Sequence, residues 1–224
     1  MIILEKSKTL GRLIRQDDIQ ELAIPTLALV KDAIRSGKIG EAIAFLDYAY
    51  SESKTLHDAL VSVVDDVLTH LANINEEEVY KVLRKRYEPI IRRWLSETPG
   101  AMESLQRGIE SQRGHGGNCS ITEEPDRYVV VCNPCGSGGK LRRTKDVAVV
   151  KNKYFWTWGR NDIPYYCIHC CIMWEILPLE LRGYPIRINL IADKPENPCT
   201  HLYYKQPESI PEEYFARIEK SKLC

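Results

Sequence analysis

The sequence predicts an α+β protein: an N-terminal helical layer or bundle, followed by a mostly antiparallel sheet that carries a cysteine-rich helix. Three observations lead there. Apolar residues recur at helical spacing almost throughout Thr9 to Gln112, and the period changes after a glycine-rich joint. Beyond the joint, short alternating runs are separated by turns rich in Gly, Pro, Asn and Asp. The expected division is a helical region over residues 1–112 and a cysteine-rich, metal-binding α+β region over 113–224.

In the helical region, Ile14, Ile19, Leu22, Leu27, Val30 and Ile34 mark a first stretch, with Asp17 or Asp18 as cap, Pro25 as a break and Gly37 as a stop. A second helix is expected to begin near Ile39 and bury Ile43, Leu46 and Tyr50. A third presents Leu56, Leu60, Val63, Val67 and Leu71 on one stripe. Ser51-Glu52-Ser53-Lys54 between them is polar without a breaker, which leaves one helix or two open. Asn75 ahead of Glu76-Glu77-Glu78 is an N-terminal signature, because first-turn carboxylates complement the helix dipole. That helix is expected to reach Arg86, with Pro89 starting or kinking the next, and Ser96 to Gln112 forms a last helix interrupted at Pro99-Gly100. Glu52, His57 and Asp58 read as polar flanks of an amphipathic helix, since no Glu-x-x-His pair accompanies them.

The joint is Arg113-Gly114-His115-Gly116-Gly117-Asn118-Cys119, where His115 is a candidate acid or base on a flexible loop. Ser120 to Glu124 and Arg127 to Cys132 read as a hairpin that delivers the chain into Cys132-Asn133-Pro134-Cys135-Gly136. A C-x-x-C with proline inside and glycine after it has the form of a metal knuckle, in which a tight turn aims backbone amides at the sulfurs. Gly136-Ser137-Gly138-Gly139-Lys140 is no phosphate loop, because the Walker spacing is absent and Leu141 stands where a hydroxyl is needed. Lys140 to Lys153 is basic with a strand-like patch, Val147 to Val150. Tyr154-Phe155-Trp156-Thr157-Trp158 suits either an apolar pocket or packing beside a site.

The chemically densest stretch is Tyr165-Tyr166-Cys167-Ile168-His169-Cys170-Cys171-Ile172-Met173-Trp174-Glu175. With Asp162 as cap and Pro164 at its start, it is expected to be a helix closed at Pro178, which sets Cys167 on one face with Cys170 and Cys171. Glu175 shares a face with Cys171. Ile186 to Ile191 alternates as a strand; Cys199 to Lys205 is another, with His201 on the same face as Cys199. Pro211 onward forms a short amphipathic helix ending at Cys224, a bystander.

Composition narrows the function classes. The chain has 224 residues, 44% of them hydrophobic, and its 31 basic residues balance 31 acidic ones. There is no electrostatic footprint of a nucleic-acid binder, and no apolar run near the ~20 residues of a membrane span. The expectation is a cytoplasmic protein whose partner is a small-molecule substrate or ligand, with self-association as a homo-oligomer left open. Eight cysteines clustered in C-x-x-C pairs, in a reducing compartment, point to metal or thiol chemistry rather than a disulfide framework. The cofactor expected is zinc or another thiophilic ion, held by Cys135, Cys167, Cys170 and Cys199, with Cys132 and Cys171 as alternates. The proton-transfer candidates are His169, His115, Glu175 and His201.

The order of a strand, a cysteine, Tyr166-Cys167 opening a helix, an acidic residue, a glycine turn and Cys199 before an aromatic-bearing strand resembles the C-terminal half of the aminothiazoline-carboxylate hydrolase-like family. It is more distantly similar to the 4-vinyl-reductase-type ligand-binding domains. The resemblance covers roughly residues 113–205. It implies an α+β fold and, from the second group, a zinc held by cysteines and a glutamate; Cys167 and Cys199 match best. The sequence departs from that pattern between Glu180 and Pro198, which contains no cysteine, so Cys135, Cys170 or Cys171 would have to substitute.

Two function classes follow. One is a metal- or thiol-dependent hydrolase or lyase acting on a small sulfur- or nitrogen-containing molecule, with a spare cysteine as nucleophile as the variant mechanism. The other is a non-enzymatic ligand-binding or sensor module with a structural, cysteine-ligated zinc.

Overall fold

The computed structural model describes residues 4–8, 11–16 and 23–222, and the chain divides into two compact units, Met1–His57 and Asp58–Cys224. In the first, β1 (Leu4–Lys6) pairs antiparallel with β2 (Leu13–Arg15) where helix was expected, so Ile14 lies in a strand. Gly11, at φ +66°, lets the chain reverse there. Helix α1 (Thr26–Arg35) starts directly after Pro25 and ends at Ser36, with Gly37 at φ +73°. Asp17, Asp18, Ile19 and Leu22 lie outside the described residues.

Helix α2 (Ile39–Ile74) is a single element of 36 residues, so the polar Ser51-Glu52-Ser53-Lys54 does not interrupt it. Its inward residues are not the ones expected. Ala42 and Phe45 join Val30 and Ala33 of α1 in a small core, while Ile43, Leu46 and Tyr50 are 58%, 53% and 58% exposed. Farther along α2, Val61, Leu68 and Ala72 are buried while Leu60, Val63 and Val67 are exposed. The helix is apolar around much of its circumference, so periodicity alone does not say which apolar stripe faces the core.

In the second unit, Asn75 caps α3 (Glu76–Glu97), its Oδ1 accepting the Glu77 amide at 3.0 Å. The helix does not stop near Arg86; it runs through Pro89, because Val79, Leu83 and Ile91 bury one stripe on both sides of the proline. Helix α4 (Ala101–Gly114) begins after Pro99-Gly100. Then come β3 (Cys119–Glu123), β4 (Arg127–Cys132), α5 (Gly138–Thr144), β5 (Ile188–Leu190) and β6 (Cys199–Tyr204). The four strands form an antiparallel sheet in the order β3-β4-β6-β5. Val147 to Val150 contributes only an isolated bridge between Val149 and Pro164.

The cysteine-rich segment is composite: a 3-10 turn at Tyr165–Cys167, α6 (Ile168–Cys171), a π turn at Ile172–Ile176, and α7 (Leu177–Arg182) closed by Gly183 at φ +91°. It does not end at Pro178, which sits in the first turn of α7, after the π turn, where a missing N–H is tolerated. Asp162 does not cap it either; its carboxylate holds Arg160 at 2.8 and 2.5 Å. Residues 171–179 are all buried, so this helix runs through the core of the unit. The final helix, α8, spans Glu213–Ala216.

Candidate functional site

Antiparallel register brings the sulfurs together. Cys132, the last residue of β4, is opposite Cys119 of β3 and Cys199 of β6. Cys119 and Cys132 form a disulfide, so Cys132 is not a free thiol and its C-x-x-C pair is divided. The chain then turns through Asn133 and Pro134 and places Cys135 beside Cys199, whose thiol donates a hydrogen bond to the Cys135 sulfur. The glycines after Cys135 are required by closeness. A β-carbon on Gly138 would lie 2.6 Å from the Cys167 sulfur, and one on Gly139 2.9 Å from that of Cys135. The first turn of α5 thus lies directly against two sulfurs.

Cys135 is half-buried. Its pKa is lowered to about 6, first by the hydrogen bond from Cys199; burial opposes this, and the amides of Gly139 (2.9 Å) and Ser137 and the charge of His169 reinforce it. For Cys170, burial raises the pKa, but the His169 imidazole at 3.5 Å outweighs it with help from Arg187, so this thiol too is acidified. Burial lowers the His169 pKa, yet its pairing with Cys170 prevails and holds it above the ordinary value; its Nδ1 lies 2.5 Å from the Tyr166 carbonyl. Cys167 is pushed well up by burial and by the charges of Cys135 and Cys170, and Cys199 by its donation to Cys135 and then by burial. The cluster therefore holds two acidified sulfurs, two protonated ones and one imidazole.

The other candidates lie apart from this chemistry. His201, buried on β6, is kept neutral by burial and by the charges of Arg187 and His169, with its Nδ1 3.9 Å from the Cys132 sulfur. Glu175, fully buried, is held by both oxygens on Arg217 at 2.9 and 2.8 Å, and accepts the Asn189 amide at 2.8 Å. Cys171 is buried with its thiol toward the Phe155 carbonyl at 3.8 Å, and burial pushes its pKa well up. The backbone carbonyl of His115 packs against Gly136, where a β-carbon would lie 2.1 Å from it.

Sequence reasoning missed Arg187 and Asn189. They alternate with Ile186 and Ile188 in the pattern of a strand with one polar face, and both are buried. Arg187 donates to Asn189 Oδ1 at 2.7 Å and to the Tyr203 hydroxyl at 3.1 Å, and stacks 4.0 Å over Trp174. Asn189 in turn donates to the Cys170 carbonyl at 3.1 Å. The aromatic run packs rather than lining a described cavity: Tyr154 and Trp156 stack at 4.2 Å. A cavity of about 200 Å³ does open beside the Cys135 loop, lined by Asp58, Val61, Ser137, Lys140, Leu141 and Thr144, with Lys140 ion-paired to Asp58.

Among the described residues, no group of three or more His, Cys, Asp or Glu is disposed to hold a metal ion, and no helix is long and apolar enough to cross a membrane. Neither a family model, nor a curated protein, nor a solved structure matches the chain.

Proposed function

We propose that the second unit is a thiol-dependent hydrolase or lyase acting on a small sulfur- or nitrogen-containing molecule, with Cys135 as nucleophile and His169 as the proton-transfer group. The observation that carries this reading is the half-buried Cys135 sulfur, which accepts the Gly139 amide at 2.9 Å, and whose pKa is pushed down to about 6, first by Cys199. At neutral pH such a sulfur is a thiolate without needing a base to deprotonate it. It adds to an electrophilic carbon, forming a C–S bond while the displaced electron pair moves onto the substrate nitrogen, oxygen or sulfur. His169, whose hold on its proton is strengthened by its pairing with Cys170, gives that atom its proton. Water then adds at the same carbon, and the C–S bond breaks with its electron pair returning to Cys135 as the thiolate. Five free thiols among the described residues suit a reducing compartment such as the cytoplasm, whereas the Cys119–Cys132 disulfide suits an oxidising one.

The test is a screen of thiazoline, amide and thioester compounds, together with the pH dependence of Cys135 alkylation. Cys135→Ser is expected to abolish turnover, and wild-type Cys135 to alkylate with a midpoint near pH 6. Full activity of the variant, or a Cys135 that reacts only above about pH 8 like an ordinary thiol, overturns the assignment. Tight binding of a compound without turnover supports the sensor reading instead.

A second reading, zinc or another thiophilic ion, is supported by the mutual electrostatic influence of Cys135, Cys167, Cys170 and Cys199. It requires the sulfurs to draw in around one point, because they are not so disposed in the structure. About one equivalent of metal in the purified protein, with thiols that titrate only after chelation, would establish it. Metal-free protein with freely titrating thiols would exclude it.

A further inference from the structure

The first unit leaves much apolar surface uncovered. Among the described residues its buried apolar side chains are Val30, Ala33, Ala42, Phe45, Tyr48 and Ala49, a small set for a unit of 57 residues, in a size range where folding alone is already marginal. On α2, Ile39, Ile43, Leu46 and Tyr50 are 53–58% exposed, and Leu56, beside the continuation of that row, is 63% exposed. The row follows the alternating four- and three-residue spacing of a coiled-coil seam. In sequence the same spacing resumes at Leu60, Val64, Val67 and Ile74.

We propose that this face of α2 is a dimer interface, and that what covers it is α2 of a second copy of the chain. Area supports the choice. At roughly 100 Å² for each large apolar side chain, the five residues present about 500 Å², close to the apolar share of the ~800 Å² per partner that a stable interface buries. A seam with heptad spacing is complementary to itself, as a two-fold interface must be.

The test is the molar mass of the full chain by sedimentation equilibrium at about 50 µM, for wild type and for Ile43→Asp/Leu46→Asp. The substituted positions are exposed, so far-UV circular dichroism and the count of reactive thiols are expected to stay unchanged. Wild type should sediment at twice the chain mass and the variant at the chain mass. A monomeric wild type, or a variant that remains dimeric, overturns the proposal. If the variant loses helix, hydrogen exchange on wild type decides: residues 39–56 should gain at least tenfold protection between 1 and ~100 µM, and protection independent of concentration refutes the interface.

Discussion

The amide of Gly139 stands 2.9 Å from the Cys135 sulfur, and a β-carbon on the same glycine would stand 2.9 Å from that sulfur as well. Backbone closeness and thiolate stabilisation are therefore one feature: the chain can bring an N–H this near the sulfur only where it has no side chain. Gly139→Ala should displace the sulfur from the amide and raise the pH midpoint of Cys135 alkylation by about one unit, worth 1.36 kcal/mol. Iodoacetamide rates resolved by peptide mass spectrometry check this, and an unchanged midpoint would count against the hydrogen bond.

Cys199 is the largest single cause of the lowered Cys135 pKa. Cys199→Ala should move the alkylation midpoint from about 6 toward the ordinary thiol value of ~8.5. Cys199→Ser, which can still donate, should keep most of the acidity. Equal behaviour of the two variants would assign the effect to packing rather than to donation.

Glu76 links the start of α3 to the aromatic segment, accepting the Tyr165 hydroxyl at 2.6 Å, the Lys151 amide at 2.7 Å and the Tyr154 hydroxyl at 3.1 Å. Burial raises its pKa, but these bonds together outweigh it, so the folded value lies below the unfolded one. Its stabilisation is then complete above the ordinary glutamate value of ~4.3 and is lost as pH falls through the lower folded pKa. Glu76→Gln should cost about 1–3 kcal/mol at pH 7 and reduce the acid dependence of the urea midpoint. A variant with wild-type acid sensitivity would show that other carboxylates govern it.

The Glu175–Arg217 pair has one fully buried partner. Arg217→Met strands the carboxylate in the core and should cost about 3–5 kcal/mol, whereas Glu175→Gln/Arg217→Met should recover much of that loss. Guanidinium denaturation of both variants reads the difference. If the double variant is no better than the single one, the pair is not an isolated charge couple.

Much of the second unit was legible because its signals are local. Asn75 with three glutamates after it, the alternating residues of β4 and β6, and the glycines after Cys135 each act within a few residues of themselves. The strand-like patch Val147 to Val150 misled because its partners are decided elsewhere in the chain. Pro89 and Pro178 misled for a different reason: a proline removes one donor, and burial on both sides of it can outweigh that loss.

The sequence by itself determined the α+β class, a long helical region ahead of the sheet, and the crowding of Cys167, His169, Cys170 and Cys171 within a few positions, because periodicity and spacing are properties of neighbours along the chain. Only the tertiary structure decided that Cys132 joins Cys119 while Cys135 meets Cys199, that Glu175 is neutralised by Arg217, and that Arg187 and Asn189 lie inside. It also decided which apolar stripe of α2 is buried. Each of these depends on strand register, or on which face of an element meets a partner distant in sequence, and a thiol's acidity follows from the donors that register brings to it.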